Sequence, residues 1–277
     1  MQKQDLYALG YRAEEQVRLQ AQARQLAEES RLLFDRIPLN AGSRVVEIGC
    51  GPHGCLDILS ERVGGSGQVI GVERNEDAVS LARNMVRDRG LANVEIVHRD
   101  GRSTELEKNA FDLVTLRLVL VNVPKPEEIL SEAVALVRPG GWIALHEADY
   151  LTFMCDPPSD AWARYLELFS DYCNRNGIDP NIGRRVPRLL RETAGIHDVG
   201  VQPIIHVYPL GHERRFIACE FADNICERLI AASMVTREEF AALRKELLDH
   251  VSRPETLVVS HLFFQVWGQK PGDQPGN

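Results

Sequence analysis

The sequence contains no apolar run approaching the roughly 20 residues a membrane-spanning helix needs, so no spanning segment is expected in its 277 residues. The opening stretch, Met1-Gln-Lys-Gln-Asp5, lacks the apolar core of a signal peptide. CxxC spacing is missing too, since the six cysteines stand at 50, 55, 155, 173, 219 and 226. That removes the common redox and zinc signatures, and a chain this long needs no disulfide staples. The six are read as reduced thiols of a cytoplasmic protein. No cluster of Lys or Arg offers a face for phosphates. With 40 acidic against 32 basic residues the net charge is −8, so neither nucleic acid nor a membrane is expected as a partner. Internal repeats and low-complexity tracts are absent, which excludes a solenoid. What is present is an ordinary globular balance of 44% hydrophobic and 26% charged residues, enough for one large domain or a domain with a cap.

Residues 11–36 read as one or two helices, with Val17, Leu26, Leu32, Leu33 and Phe34 as their apolar positions. Short β-rich runs then alternate with helical stretches. Strands are expected at 44–48, 68–72, 94–97, 111–116 and 142–145, and helices at 56–63, 77–89 and 126–137. Gly90 suits a C-terminal cap, Pro126 a helix start, and Pro139-Gly-Gly141 a turn. Five strands separated by helices require right-handed crossovers, hence a parallel sheet. After Tyr150 the pattern changes. Residues 156–194 and 212–250 read as helical, 201–207 as a strand, and 257–267 as one final strand. The Gly- and Pro-rich tail, 270–277, is expected to be disordered.

The first strand runs into Gly49-Cys-Gly51-Pro-His-Gly54, a GxGxxG pattern whose glycines let backbone approach a ligand at the sheet edge. Alone it also fits dinucleotide enzymes, as does Glu73 at the end of the second strand, because both ligand types present ribose hydroxyls to a carboxylate. Three features break the tie. Glu47 stands two residues before Gly49, where a pyrophosphate would not want a carboxylate but a sulfonium and an amino group tolerate one. Arg99-Asp100-Gly101 follows the third strand, with Asp100 able to accept from an adenine amine and Gly101 able to present backbone to the ring. The last strand is aromatic-rich and follows the sixth after an insertion, an arrangement foreign to the dinucleotide fold.

With these residues in order, the sequence resembles the class I methyltransferases that use S-adenosylmethionine (SAM). The matching stretches are Val45 to Gly54, Gly71-Val-Glu73, Asp100, Phe111 to Leu116 and Val137-Arg-Pro-Gly-Gly-Trp142. Within the class it is most similar to the ubiquinone/menaquinone C-methyltransferase-like group and its relatives in bacterial secondary metabolism. The resemblance implies a Rossmann-like, seven-stranded, mostly parallel α/β sheet with an antiparallel last strand. It implies that Glu73 binds the ribose and Asp100 the adenine amine, while backbone around Gly49, Gly51 and Arg117 holds the methionine part. Glu47, Cys50, Arg74, Gly101 and Arg102 complete the expected SAM-binding set. Glu47 bonding loop amides, and Asp100 serving as a turn residue, are the competing structural readings.

The expected organisation is an N-terminal helical lid at 1–38 and a SAM-binding core at 39–150, completed by 196–210 and 256–270. An inserted helical cap is expected at 151–195 and 211–255. Phe153, Met154, Trp162, Tyr165, Phe169, Tyr172, Tyr208, Phe216 and Phe221 crowd the inserted regions. Some of them are expected to line an apolar or aromatic acceptor site. Tyr7, Tyr11, Arg12 and Arg18 are placed to close over it, although a helix like theirs serves equally as an oligomer contact. Residues after the fourth and fifth strands should face the donor, so candidates come from Arg117 to Asn122 and from His146 to Tyr150. His146, Glu147, Asp149 and Tyr150 are therefore the catalytic candidates, with His146 first as a general base because imidazole titrates near neutrality. His53 is a lesser candidate, and no metal site is expected. Asp156-Pro-Pro-Ser159 is similar to a motif of amino-methylating nucleic-acid enzymes, but it follows the fifth strand rather than the fourth and lacks the aromatic, so Ser159 is read as a helix N-cap.

The expected activity is methyl transfer from SAM to carbon, oxygen or nitrogen of a small, largely apolar or aromatic acceptor, leaving S-adenosylhomocysteine. A cyclase or isomerase that binds SAM without transferring its methyl group is the alternative. A nicotinamide reductase is disfavoured by Glu47 and by the lack of a Tyr-x-x-x-Lys pair, and a nucleic-acid methyltransferase by the charge.

Overall fold

A computed structural model describes residues 7–9, 12–196 and 198–272. Tyr11, the first six residues and the tail beyond Gly272 lie outside the described residues.

Short β-rich runs, most of them followed by an amphipathic helical stretch, set the layout. Two helices, α1 (Ala13–Gln25) and α2 (Ala27–Phe34), precede β1 (Arg44–Ile48), α3 (Leu56–Val63), β2 (Gln68–Glu73), α4 (Glu76–Asp88) and β3 (Val94–His98). The chain continues through β4 (Phe111–Arg117), α5 (Pro126–Leu136), β5 (Val137–Asp149), β6 (Met154–Asp156), α6 (Asp160–Arg175), α7 (Val186–Ala194) and β7 (Val199–Ile204). It closes with α8 (Ile217–Ala231), α9 (Arg237–Val251), β8 (Leu257–Val259) and β9 (Leu262–Gln269). Seven of the strands form one sheet in the order β3-β2-β1-β4-β5-β9-β7. The first five pair in parallel, and β9 runs antiparallel between β5 and β7. This is the sheet expected of the Rossmann-like class.

Parallel strands must be apolar on both faces because helices cover both. Val45, Leu113 and Ala144 pack with Leu33, Phe34 and Leu59 of α2 and α3. Val46, Ile48, Val114 and Leu116, pointing the other way, pack with Ile129, Leu130 and Ala133 of α5. On that second side α7 packs on α5 and on β7 and β9, while α6, α8 and α9 pack on one another as a separate helical layer. The stretch 151–195 is thus divided between the two layers.

Several boundaries differ from expectation for local reasons. β5 runs on to Asp149 because β9 pairs with it as far as Leu262. The run 257–267 divides at Ser260-His261, so β8 pairs with β6 and β9 with the main sheet. Ser260 fixes the break, its hydroxyl accepting from the His206 N–H at 2.9 Å and donating to the His261 carbonyl at 2.8 Å. Of the apolar positions read in α1 and α2, Leu26, Leu33 and Phe34 are buried, whereas Val17 and Leu32 face outward, 66% and 51% exposed. Ser159 caps α6 as expected, accepting from the Trp162 N–H.

Candidate functional site

Strand tips carry the site. β1 ends at Ile48, and Gly49 turns the chain at φ 71°, a conformation costly for any residue with a Cβ. A Cβ there would also sit 2.6 Å from Val119. Gly51 has φ 57° as well, but a Cβ on it would meet nothing within 4 Å. The loop is therefore pinned at its first glycine and open at its second, and a cleft lies beside it. All ten residues expected to hold a cofactor line that cleft: Glu47, Gly49, Cys50, Gly51, Glu73, Arg74, Asp100, Gly101, Arg102 and Arg117. They come from the tips of β1 and β2, from the turn after β3 and from the end of β4.

Each side chain is fixed by a local device. Glu73, at the tip of β2, accepts from three backbone amides: Gly51 at 3.0 Å, Arg74 at 2.8 Å and Asn75 at 2.7 Å. Burial pushes its pKa up, and the same amides oppose the shift. Asp100 accepts from the Arg102 amide at 2.9 Å and lies within 3.3 Å of the Arg102 guanidinium, so it shapes its own turn while facing the cleft. Glu47 grips the Cys55 amide with both oxygens, at 2.9 and 2.8 Å. Burial lifts it to about 7 against the pull of Arg117. The Arg117 guanidinium is braced between α2 and the glycine loop, donating to the Ser30 hydroxyl at 3.0 Å and the Gly54 carbonyl at 2.9 Å. The Cys50 thiol is pushed well up by burial and by the carboxylates of Glu73 and Glu47, which leaves it protonated and unreactive.

The four candidates after the fifth strand are placed elsewhere. His146, Glu147 and Asp149 lie on β5, which continues to Asp149, and Tyr150 directly follows it; all four are buried and none lines the cleft. Glu147 accepts from the amides of Val119, Leu120 and Val121 at 3.0, 2.9 and 3.2 Å, and so holds the turn that abuts Gly49. Burial raises it to about 7. Asp149 is paired with Arg184 at 2.5 Å. Tyr150 sits in an aromatic group with Phe169 and Phe221. His146 is pushed down to about 3 by burial and by Arg117, so it is a neutral imidazole. His53 pairs with Asp57 at 3.4 Å, away from the cleft wall. Seven of the cap aromatics, Phe153, Trp162, Tyr165, Phe169, Tyr172, Tyr208 and Phe221, are buried in the core, while Met154 is 50% exposed.

Sequence reasoning missed one wall. Beside Tyr7, which the sequence already places near the site, Gln16, Leu19 and Gln22 of α1 line the cleft from the N-terminal side. Their spacing of three residues is a helical stripe, but a stripe with two glutamines does not read as buried. The segment is fastened. The Ala8 amide donates to Asn122 at 2.8 Å, Arg228 donates to the Ala8 carbonyl at 2.7 Å, and Asn224 donates to Glu15 at 2.6 Å.

Residues 39–179 match the family described as Methyltransferase domain, a span of just over half the chain. The chain belongs to this family. Among methyltransferase relatives, the demethylmenaquinone methyltransferase of Oceanobacillus iheyensis is 33% identical over 119 residues, 43% of this chain and 50% of that one. A 37.1 kDa protein in transposon TN4556 of Streptomyces fradiae is 32% identical over 178 residues, 64% of this chain and 50% of its own. The chain thus spans about half the length of these relatives. In fold it is similar to a Haemonchus contortus phosphoethanolamine N-methyltransferase 2 solved with phosphomonomethylethanolamine and S-adenosylhomocysteine. The TM-score is 0.56 at 18% identity, over 88% of this chain and 52% of that one. For a methyltransferase-family sheet, the cleft lies where open α/β sheets bind ligands, beyond the carboxyl ends of the strands.

Proposed function

We propose that this chain binds SAM in the strand-tip cleft and transfers its methyl group to carbon, oxygen or nitrogen of a small, largely apolar or aromatic acceptor. The observation that carries the reading is the convergence of Glu73, Asp100 and the Gly49–Gly51 loop on one cleft. The donor set suits an adenosyl sulfonium. Three of the roughly four acceptor positions on the Glu73 carboxylate are taken by amides, and the remainder is free for a ribose hydroxyl. Asp100 and Gly101 would take the adenine edge. Arg117 and the backbone of Gly49 and Gly51 would take the methionine part. Glu47 acts at one remove, since its carboxylate is spent on the Cys55 amide and keeps the loop in shape. SAM supplies an activated methyl on sulfur, so the chain's task is to position the acceptor and exclude water.

The N-terminal helices serve as a lid over this core, and α6, α8 and α9 as the cap. The net charge of −8 suits a small-molecule acceptor rather than a nucleic acid. Six unpaired cysteines suit the reducing conditions of the cytoplasm. Among the described residues no helix is long and apolar enough to cross a membrane. A homo-oligomer through the N-terminal helix would use its outward face, where Val17 is exposed. Calorimetry with SAM and S-adenosylhomocysteine tests the reading directly, and a purified, folded chain that binds neither refutes it. Transfer of labelled methyl to product separates methylation from a cyclase or isomerase use of the same cleft.

A further inference from the structure

A groove between α1 and α8 lies outside the cleft, and no described residue lines both. Most of the charges along it are paired. Arg18 donates to both oxygens of Glu15 at 2.7 Å. Asp223 accepts from Arg244 at 2.7 and 2.8 Å, Glu227 accepts twice from Arg237 at 2.8 Å, and Glu14 lies 3.4 Å from Arg12. Two opposite charges are left over. Arg214 lines the groove and is only 5% exposed, yet among the described residues no carboxylate pairs with it. Its Nε has no hydrogen-bond partner, and its one side-chain bond, to Gln25 Oε1, is stretched to 3.5 Å. The rings of Tyr208 and Phe263, 5.9 and 5.8 Å from the guanidinium carbon, bring no negative charge. A buried charge without a partner is costly. Arg215, next along the chain, avoids that cost by donating to four backbone carbonyls. Glu220, half-buried on α8, also lines the groove and has no hydrogen bond or ion pair among the described residues. Burial raises its pKa, and Arg18 and Arg214 are near enough to oppose the shift. Val17, Ala21 and Ile217 add apolar wall to the same groove.

We propose that this groove is a second small-molecule site, and that it takes a zwitterion of the amino-acid type, with its carboxylate on Arg214, its ammonium on Glu220 and an apolar side chain against Val17, Ala21 and Ile217. The leftover charges decide among the possible classes. A simple carboxylate would pair with Arg214 but would meet Glu220, and Glu213 on the same groove, as like charges. A phosphate, with more negative charge, would meet them at a greater cost. An amine would pair with Glu220 and leave Arg214 without an anion, beside a second positive charge. A zwitterion gives each leftover charge its opposite and adds no net charge. The planar guanidinium fork also matches the geometry of a carboxylate. The inference goes beyond the methyltransferase reading and does not depend on it, since the groove shares no lining residue with the cleft.

The test compares three probes of one carbon skeleton on the full chain, with S-adenosylhomocysteine present to fill the cleft. They are leucine, 4-methylpentanoate, which lacks the ammonium, and 3-methylbutylammonium, which lacks the carboxylate. Ligand-observed NMR titration should show leucine binding about tenfold tighter than either of the others, the scale of one charge-assisted hydrogen bond. Arg214→Met should weaken leucine binding by about the same factor. Because it removes a cation that has no anion beside it, it should leave the thermal midpoint of the ligand-free chain unchanged or raised. Glu220→Gln should cancel the lead of leucine over 4-methylpentanoate. A wild-type chain that does not bind leucine, or binds it no better than the stronger of the other two, overturns the inference, as does a leucine preference that survives Arg214→Met. The wild-type ranking and Glu220→Gln decide the matter even if Arg214→Met does not fold. Failure to bind S-adenosylhomocysteine in the same samples would instead defeat the methyltransferase reading.

Discussion

Replacing Glu73 with Ala removes the carboxylate at the tip of β2 and with it any hold on a ribose. The structure bounds the effect. Three of the roughly four acceptor positions of the carboxylate are engaged by the amides of Gly51, Arg74 and Asn75. About one charge-assisted bond therefore remains for the ligand, and such a bond contributes about 1.5–3 kcal/mol. Affinity for S-adenosylhomocysteine should fall roughly 10- to 150-fold. Glu73→Gln should do no better, because its amide nitrogen would face backbone N–H groups that need an acceptor. Calorimetry measures the loss, and thermal unfolding of the same samples separates it from damage to the loop. A folded Glu73→Ala chain whose affinity changes less than about threefold (under 1 kcal/mol) would refute the reasoning, since the ribose would then be held elsewhere.

Other substitutions probe the frame around the cleft. Gly49→Ala forces a Cβ into the left-handed region and against Val119, so urea unfolding should show a loss of about 1–3 kcal/mol, with weakened S-adenosylhomocysteine binding. Glu147 has its pKa raised to about 7 from the ordinary 4.5. The folded state therefore holds that proton more tightly than the unfolded chain, and the stability this gives is present below 4.5 and lost as pH climbs through 7. Glu47 behaves alike. Urea unfolding at about pH 5 and pH 8 should show Glu147→Gln losing less stability, or gaining more, from pH 5 to pH 8 than the wild-type chain, and an unchanged difference between the two pH values would rule Glu147 out as a source. Arg215 is 1% exposed and donates to the carbonyls of Val251, Tyr208, Arg253 and Thr256. Arg215→Met strands all four and should cost at least about 3 kcal/mol by thermal unfolding, and a change under 1 kcal/mol would contradict this account.

What the sequence displays best is periodicity. The bounds of β1 and α3 match the reading residue for residue, because Val45-Val-Glu-Ile48 and the glycines after it are strong local signals. The set of residues that line the cleft is legible for the same reason, since strand-end carboxylates and glycines stand at fixed offsets along the chain. Less legible is what a buried carboxylate is for. Glu47 and Glu147 satisfy backbone amides in three dimensions, and nothing in their neighbours along the chain distinguishes that task from touching a ligand. The end of β5 misled because pairing with β9, more than a hundred residues later, prolongs the strand. His146, Glu147, Asp149 and Tyr150 are thereby drawn into the interior. The stripe Gln16, Leu19 and Gln22 was overlooked because burying glutamine has a cost that only a polar cleft offsets.

One helix lines two openings, the cleft and the groove toward α8. Gln16, Leu19 and Gln22 of α1 face the cleft, while Glu14, Val17, Arg18, Ala21 and Gln25 face the groove toward α8. Any occupant that steadies this helix from one side lowers the ordering cost for an occupant on the other. Thermodynamic linkage makes the benefit mutual, so the two affinities rise by the same factor. Cooperative loading of two ligands would then need no relay through the sheet, only a shared wall.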